Sequence, residues 1–168
     1  MIVNHFKSKG SAKKADAANK NKGDGQGAYN ATRRAQSLAV CKFIDRMTQA
    51  DSNFRALVIG DLNAYEQEDP IDAMRAKGLV DLHERFKPAN ATEKADYSYV
   101  YHGQCGSLDH AMATGSMVAD VTGLATWHIN ADEPRSMDYN QEYNPKPLYQ
   151  PDPFRSSDHD PVLIGIRN

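Results

Sequence analysis

The segment R-A-L-V-I-G-D-L-N-A-Y, residues 55–65, decides the fold. Its apolar run, residues 56–59, stops at Gly60, which is typical of a buried strand that enters a tight turn. Asp61 and Asn63 follow two residues apart, so on a strand-like extension both side chains would point to the same side. Such a pair can orient a metal ion, a water molecule or a phosphate oxygen. The same residues also mark plain turns, so the rest of the chain has to decide between the two interpretations.

The composition indicates one ordinary globular domain. With 168 residues, of which 40% are hydrophobic, the chain can bury a sizeable core. The formal net charge of −2 gives no general attraction to nucleic acids or membranes. No run approaches the roughly 18 apolar residues of a membrane-spanning helix. Cys41 and Cys105 do not have the spacing of metal ligands. A buried free thiol is expected at Cys41, and a disulfide between the two cysteines is the alternative if the protein is secreted.

The first residues already look like the end of a strand. Ile2 and Val3 follow Met1 with no polar leader and no signal peptide, and the polar His5 comes directly after them. We therefore expect that these 168 residues begin inside a larger domain.

Hydrophobic periodicity predicts alternating helices and strands early in the chain and mainly strands later. The predicted helices are residues 28–50 and 66–77, the second with Pro70 near its start and Gly78 as its stop. The predicted strands are residues 1–6, 55–59, 97–101, 107–113, 118–127 and 161–166, with 107–113 as the hairpin partner of 97–101. A mobile polar loop is expected over 7–27 and an ordered irregular loop over 130–153. The class is α/β or α+β with a mixed sheet.

Polar side chains gather at the ends of these strands. They are His5, Asp61 with Asn63, Asp109 with His110, and Asp158 with His159. Because α/β proteins usually bind their ligands at strand ends, this set favours a hydrolytic site over a coincidence of turn residues. His110 would point to the opposite face from Asp109, so we interpret it as structural.

Four ordered segments resemble the endonuclease/exonuclease/phosphatase superfamily. They are N-H-F-K-S-K-G (4–10), G-D-L-N-A (60–64), G-S-L-D-H (106–110) and S-S-D-H-D-P-V (156–162). Three further segments resemble the superfamily's bacterial extracellular nuclease branch: G-D-G-Q-G-A-Y-N-A-T-R (23–33), E-D-P-I (68–71) and W-H-I-N-A-D-E-P (127–134). The similarity to that branch extends over nearly the whole chain.

The resemblance implies five catalytic residues. His5 would contact the scissile phosphate or the leaving oxygen, Asp61 would orient or deprotonate the attacking water, and Asn63 would hold the phosphate. Asp109 would hydrogen-bond His159 and keep it oriented and cationic, so that it stabilises the pentavalent phosphate. The chemistry also favours these types, because phosphodiester hydrolysis needs a base and cations that neutralise the developing charge.

The same resemblance implies metal ligands, and the basic residues nearby are candidates for phosphate contacts. Asp158 would bind a divalent metal, with Asp61 and Asn63 as further ligands and a Glu that these residues do not supply. Such hard oxygen ligands suit Mg²⁺, Mn²⁺ or Ca²⁺ rather than zinc. Lys7 and Arg33 would join Asn63 in contacting substrate phosphate. A structural ion pair for Arg33 and a merely solvated lysine-rich loop remain the alternatives.

The implied fold is the C-terminal part of a single two-sheet α/β sandwich domain, residues 1–168, with a mixed, mostly antiparallel sheet and helices on one face. Such a half would leave an apolar face uncovered unless the chain dimerises. The expected function is a secreted, metal-dependent DNA endonuclease of low sequence specificity, with little activity for these residues alone. The alternatives are a phosphatase or lipid phosphodiesterase of the same superfamily, and a fragment that binds nucleic acid without turnover.

Overall fold

A computed structural model describes residues 1–87, 96–140, 142, 144, 145 and 148–167. The helices are α1 (Asn30–Ala50), α2 (Asp69–Ala76), α3 (Leu82–Phe86) and α4 (Gly115–Val118). The strands are β1 (Ile2–His5), β2 (Leu57–Asp61), β3 (Val80–Asp81), β4 (Tyr99–Tyr101), β5 (Gln104–Gly106), β6 (Asp109–Ala113), β7 (Val121–Thr126) and β8 (Val162–Ile166). Short 3-10 turns lie at Ala12–Lys14 and Arg135–Met137. The two long helices predicted from the sequence are confirmed.

A four-stranded mixed sheet with the order β1-β2-β6-β3 forms the centre of the fold. β1 runs parallel to β2, whereas β6 is antiparallel to both β2 and β3. Two further pairs, β4 with β5 and β7 with β8, are antiparallel. The predicted class, a mixed and mostly antiparallel α/β arrangement, is confirmed.

Alternate residues of the central strands pack on opposite faces of the sheet. Val58 and Met112 belong to one buried cluster, which includes residues of α1 and α2 such as Ile44 and Met74. Leu57 and its neighbours on β6 belong to a second cluster, which is completed by residues of α3, α4, β7 and β8. Each large side chain in these clusters contributes roughly 1.5–3 kcal/mol by leaving water. Helices α1 and α2 therefore cover one face of the sheet, and the β7–β8 pair covers the other.

The predicted hairpin partner of β4 is wrong. Residues 107–113 do not return along β4; instead β5 pairs with β4, with Tyr99 opposite Gly106 and Tyr101 opposite Gln104. His102 and Gly103 have φ values of 50° and 78°, which two-residue hairpin turns require, so the chain reverses at once. The apolar β6 pairs instead with β2 and β3 in the central sheet, because it is buried on both faces.

None of the helices in the described ranges is long and apolar enough to cross a membrane. Cys41 is buried, as predicted, and Cys105 is exposed; both are free thiols in this structure. Val3, Leu163 and Ile166 are apolar and exposed. The predicted dimer through an uncovered apolar face stays a prediction.

Candidate active site at the end of the central sheet

Strand register brings three of the predicted residues to one end of the central sheet. His5 lies opposite Asp61 in the parallel β1–β2 pair, and Asp61 lies opposite Asp109 in the antiparallel β2–β6 pair. Directly paired residues on a sheet have their side chains on the same face. Asp61 and Asp109 therefore stand side by side, and the His5 ring reaches Asp61 with 3.3 Å between Nε2 and Oδ2.

Gly60 allows β1 and β2 to pair next to the site. Its φ is 122°, and a Cβ atom built there would lie 2.0 Å from the Asn4 carbonyl oxygen. Any side chain at this position would push β1 away from β2 and separate His5 from Asp61. The glycine that precedes Asp61 in the sequence is thus explained by close backbone approach.

Asn63 reaches Asp61 through a turn rather than along an extended strand. Its φ of 48° lies in the left-handed region, so the strand ends at Asp61 and the predicted strand-like extension is wrong. The Asn63 backbone N–H donates to Asp61 Oδ1 at 2.7 Å, and its side-chain amide donates to Asp61 Oδ2 at 2.9 Å and to the Phe6 carbonyl at 3.1 Å. The aspartate stabilises this turn through its own side chain, and so the two residues still meet.

His159 and Asp109 form a hydrogen-bonded pair beside Asp61. The distance between His159 Nδ1 and Asp109 Oδ2 is 2.6 Å. Burial alone would lower the pKa of His159, but the bond to Asp109 and the charges of Asp109, Asp61 and Asp158 outweigh it and raise that pKa above the ordinary 6.5. The Asp109–His159 pairing expected from the sequence is present, and its electrostatics favour an imidazolium.

Ser98 was missed by the sequence reasoning, although it supports this pair. Its fully buried hydroxyl donates to Asp109 Oδ2 at 2.6 Å and accepts from the backbone N–H groups of Leu108 and Asp109, each at 3.2 Å. Its carbonyl accepts from the Asp160 N–H at 2.7 Å, which ties the hairpin to the His159 segment. The sequence contained one sign of this role, because Ser98 occupies an inward position in the alternating stretch 97–101.

Asp160 and Asn130 fix the backbone around His159. Neither residue was predicted from the sequence. Asp160 Oδ1 accepts backbone N–H groups from residues 129, 130 and 131 at 3.1, 2.8 and 2.9 Å. Burial would raise the pKa of Asp160, but these bonds and His128 lower it overall, so the carboxylate stays ionised. The Asn130 amide donates to the His159 carbonyl at 2.7 Å. The second aspartate of the D-H-D sequence therefore anchors a loop.

Asp61, Asp109 and His159 offer three ligand atoms that all lie within 4.8 Å of one another. Burial, reinforced by the nearby Asp109 charge, raises the pKa of Asp61, although Asn63, His159 and His5 oppose this. Two half-buried carboxylates this close repel each other, and a divalent cation beside them would relieve the repulsion. The carboxylate oxygens and the Asn63 amide suit a hard cation, whereas His159, already bound to Asp109, is better placed to meet phosphate.

Two predicted residues lie at the edge of this group. The His5 side chain is 76% exposed, so it stands where a substrate would approach Asp61. Asp158 is half-buried and does not belong to the three-residue group found among the described residues. Its negative charge nevertheless acts on the pKa values of His159 and Tyr99. Metal binding by Asp158 stays a prediction.

The structure overturns the proposed phosphate contact of Arg33. This side chain has no exposed surface, and its guanidinium donates to the carbonyls of Ala28 at 2.7 Å and Gln26 at 2.9 Å. It also lies 3.5 Å from Glu68 Oε2, and that carboxylate is in turn bound by Lys9. Arg33 therefore forms the structural ion pair that the sequence left open, because its side chain is buried and both of its terminal nitrogens donate inside the protein.

Lys7 lies on the same loop, and its ammonium group contacts residues of that loop. Its Nζ lies 4.1 Å from the centre of the Tyr29 ring and donates to the Ser8 carbonyl at 3.0 Å. The Lys7 backbone N–H donates to the Gln36 side chain of α1 at 3.0 Å. The described residues of this loop thus include contacts to α1, and contact of Lys7 with substrate stays a prediction.

Replacing Arg33 with alanine is expected to reduce the free energy of unfolding by about 3–5 kcal/mol, because it leaves Glu68 buried without its guanidinium partner. Urea denaturation monitored by circular dichroism measures this change. The exposed neighbour Arg34 provides the matched control, and Arg34→Ala should change stability by no more than about 0.5 kcal/mol. A loss in Arg33→Ala as small as that expected for Arg34→Ala would show that the buried network is not important for stability.

The chain is similar in sequence to one protein family and in fold to solved proteins. The sequence model of the Endonuclease/Exonuclease/phosphatase family matches residues 4–159. No protein with a curated description shows significant sequence similarity to the chain. A solved mannosyl-6-phosphatase from Bacteroides thetaiotaomicron is similar in fold, with a TM-score of 0.51 and 17% identity over 80% of this chain and 45% of that one.

A second solved structure, an endonuclease/exonuclease/phosphatase family protein from Bacteroides thetaiotaomicron, has a TM-score of 0.45 and 18% identity. The match covers 58% of this chain and 34% of that chain. The present chain therefore spans less than half the length of either solved protein.

Proposed function

Because the chain belongs to the endonuclease/exonuclease/phosphatase family, we propose that it is a metal-dependent hydrolase that cleaves phosphodiester bonds of DNA with little sequence preference. The observation that supports this best is the Asp109–His159 pair beside Asp61 at one end of the sheet. A base, a cationic group and room for a divalent cation meet there, as phosphate ester hydrolysis requires. The resemblance to the extracellular nuclease branch further suggests that the protein acts outside the cell.

In the proposed reaction, Asp61 accepts a proton from a water molecule that attacks the phosphorus atom. The raised pKa of Asp61 makes its carboxylate a stronger base than an exposed aspartate. As the new P–O bond forms and the bond to the leaving oxygen breaks, the His159 imidazolium stabilises the negative charge on the phosphate oxygens. His5, next to Asp61 and largely exposed, would contact the phosphate oxygens, and the leaving oxygen takes its proton from water. A divalent cation, Mg²⁺ in this proposal, would neutralise charge on the phosphate and be held by Asp61, Asn63 and Asp158.

The lysine-rich loop favours a polyanionic substrate over an isolated monoester. Residues 7–22 contain six lysines, namely Lys7, Lys9, Lys13, Lys14, Lys20 and Lys22. Lys9 is used by Glu68, but the last four are exposed. Spread cations strengthen binding to a chain of phosphates and release its counterions, whereas a small monoester could contact only one or two. A phosphatase or lipid phosphodiesterase of the same family remains the enzymatic alternative.

A substrate panel tests the proposal. The purified chain is assayed with supercoiled plasmid, bis(p-nitrophenyl) phosphate and p-nitrophenyl phosphate, in Mg²⁺ and in EDTA, together with His159→Ala and the exposed-site control Lys42→Ala. We expect weak nicking of plasmid by these residues alone, and that nicking should require Mg²⁺ and be lost in EDTA and in His159→Ala, but not in Lys42→Ala. Faster hydrolysis of the monoester would favour the phosphatase alternative. Plasmid binding without hydrolysis of any substrate would favour the non-catalytic one.

A further inference from the structure

An aromatic row begins at His159 and leads away from the candidate active site. The Tyr99 ring lies against the His159 ring, with centroids 4.6 Å apart and planes at 33°. The backbones of the same two residues form an isolated antiparallel bridge. Tyr99 is therefore fixed next to the group that would meet phosphate, through both its ring and its main chain.

Tyr101 continues the row toward solvent. Its ring is nearly parallel to that of Tyr99, with centroids 6.3 Å apart and planes at 18°, because residues two apart on a strand share a face. The His102 ring packs at 82° to it, 4.3 Å between centroids. Tyr101 is nevertheless 54% exposed. A ring that is held by its neighbours yet open to solvent can bind another flat group with little loss of conformational freedom.

Tyr65 extends the aromatic surface over the second strand of the hairpin, on the face that carries Tyr99. A Cβ atom on Gly106, the residue opposite Tyr99, would lie 2.5 Å from Tyr65 Cε1, so this ring packs directly on the hairpin backbone. The ammonium of Lys9 lies 3.9 Å from the Tyr65 ring centre. Burial, with the nearby Tyr99, Glu68 and Tyr101, raises the pKa of Tyr65.

We propose that Tyr99 and Tyr101 form a stacking subsite for a nucleobase next to the scissile phosphate. The inference rests on the proposed function, since it names the part of a nucleic acid that this surface would bind. Every base has an aromatic face, so tyrosine rings bind bases in a sequence-tolerant way. Exposed cations on the 7–22 loop would bind phosphates, while the rings beside His159 would hold a base and position its phosphate.

A binding comparison tests the subsite without requiring hydrolysis. Fluorescence anisotropy in EDTA measures the Kd of labelled oligothymidylate and of a base-free oligomer of tetrahydrofuran nucleotides with the same length and charge. Tyr101→Ala removes the ring, Tyr101→Phe retains it, and Phe43→Ala removes a different aromatic ring, 40% exposed on α1. Since Tyr101 is largely exposed, none of its variants removes core packing.

Wild type, Tyr101→Phe and Phe43→Ala are expected to bind oligothymidylate about 5- to 150-fold more tightly than the base-free oligomer. Tyr101→Ala should lose most of this preference and bind the base-free oligomer as wild type does. Equal affinity of wild type for both oligomers, or an unchanged preference in Tyr101→Ala, would overturn the subsite.

Cleavage of the same oligomers in Mg²⁺ separates this inference from the proposed function. If neither oligomer is cut but the base preference depends on Tyr101, the subsite stands and the hydrolytic proposal fails. If oligothymidylate is cut while the affinities show no dependence on base or ring, the hydrolytic proposal stands and the subsite is wrong.

Discussion

Replacing His159 with alanine is expected to lower kcat/KM for phosphodiester hydrolysis by about 10²–10³-fold, the range found when one preorganised donor to a transition-state oxyanion is removed. The reason is the position of His159 within 4.8 Å of Asp61, where it would meet charge on the phosphate. Hydrolysis of bis(p-nitrophenyl) phosphate under kcat/KM conditions measures the loss. An equally large loss in Lys42→Ala, which changes an exposed residue of α1, would show a general effect on folding instead.

The pH dependence of His159 gives a sharper test of the same role. Because its folded pKa is raised above 6.5, the imidazolium persists above that pH, and activity should fall as the pH rises through the folded value. The stabilisation contributed by the Asp109–His159 pair is fully present below the unfolded pKa and is lost across the same range. In Asp109→Asn the carboxylate that raises this pKa is gone and burial still lowers it, so the alkaline limb should move to lower pH.

Two measurements together establish that shift. The pH profile of kcat/KM gives the alkaline limb, and an NMR titration of the His159 ring gives its pKa without any need for turnover. Ser98→Ala removes one donor to Asp109 but keeps the carboxylate, so its limb should stay close to that of wild type. An unchanged His159 pKa in Asp109→Asn would show that the pair does not hold the imidazolium.

The site residues at the ends of strands could be predicted from the sequence. Asp61 and Asp109 each adjoin an apolar run, and a run that is buried on both faces belongs in the centre of a sheet. Side-chain alternation then brings both carboxylates to the same face and sends His110 to the other, where its ring is buried against the Ala64 carbonyl at 2.8 Å. Local periodicity was sufficient to send Asp109 and His110 to opposite faces, because strand geometry has a fixed period of two residues. It did not predict that β6 pairs with β2, and this pairing sets Asp109 beside Asp61.

The supporting hydrogen bonds could not be predicted in the same way. Ser98 and Asp160 act through the backbone of segments distant in the sequence, and the path of those segments depends on the whole fold. The predicted phosphate contact of Arg33 was wrong for a different reason. Arginine is almost always exposed unless it is paired, and its partner Glu68 lies on a separate segment. The hairpin error arose at His102, because a positive φ is uncommon for residues other than glycine and His-Gly is not among the usual two-residue hairpin signals.

The carboxylate of Asp61 reduces the stability of the fold while it prepares the site for chemistry. Asp61 is half-buried, and burial raises its pKa. Above its folded pKa, the ionised Asp61 therefore makes the native state less stable relative to the unfolded chain. Active sites often retain such unfavourable charges because catalysis or cation binding requires them. Removing the charge at position 61 should thus separate function from stability.

Asp61→Asn is expected to lower hydrolysis by about 10²–10⁴-fold, the usual contribution of a positioned general base, and to abolish stabilisation by Mg²⁺. In EDTA its free energy of unfolding should stay within about 1 kcal/mol of wild type, since relief of the buried charge offsets the loss of one of the two hydrogen bonds from Asn63, which an amide nitrogen cannot accept. Urea denaturation with and without Mg²⁺ measures both quantities, because a cation that binds only the native state raises stability by mass action. The exposed control Asp45→Asn should retain the Mg²⁺ effect. If Asp61→Asn retained it too, the cation would be bound by groups other than Asp61, and the base and metal roles assigned to this residue would have to be separated.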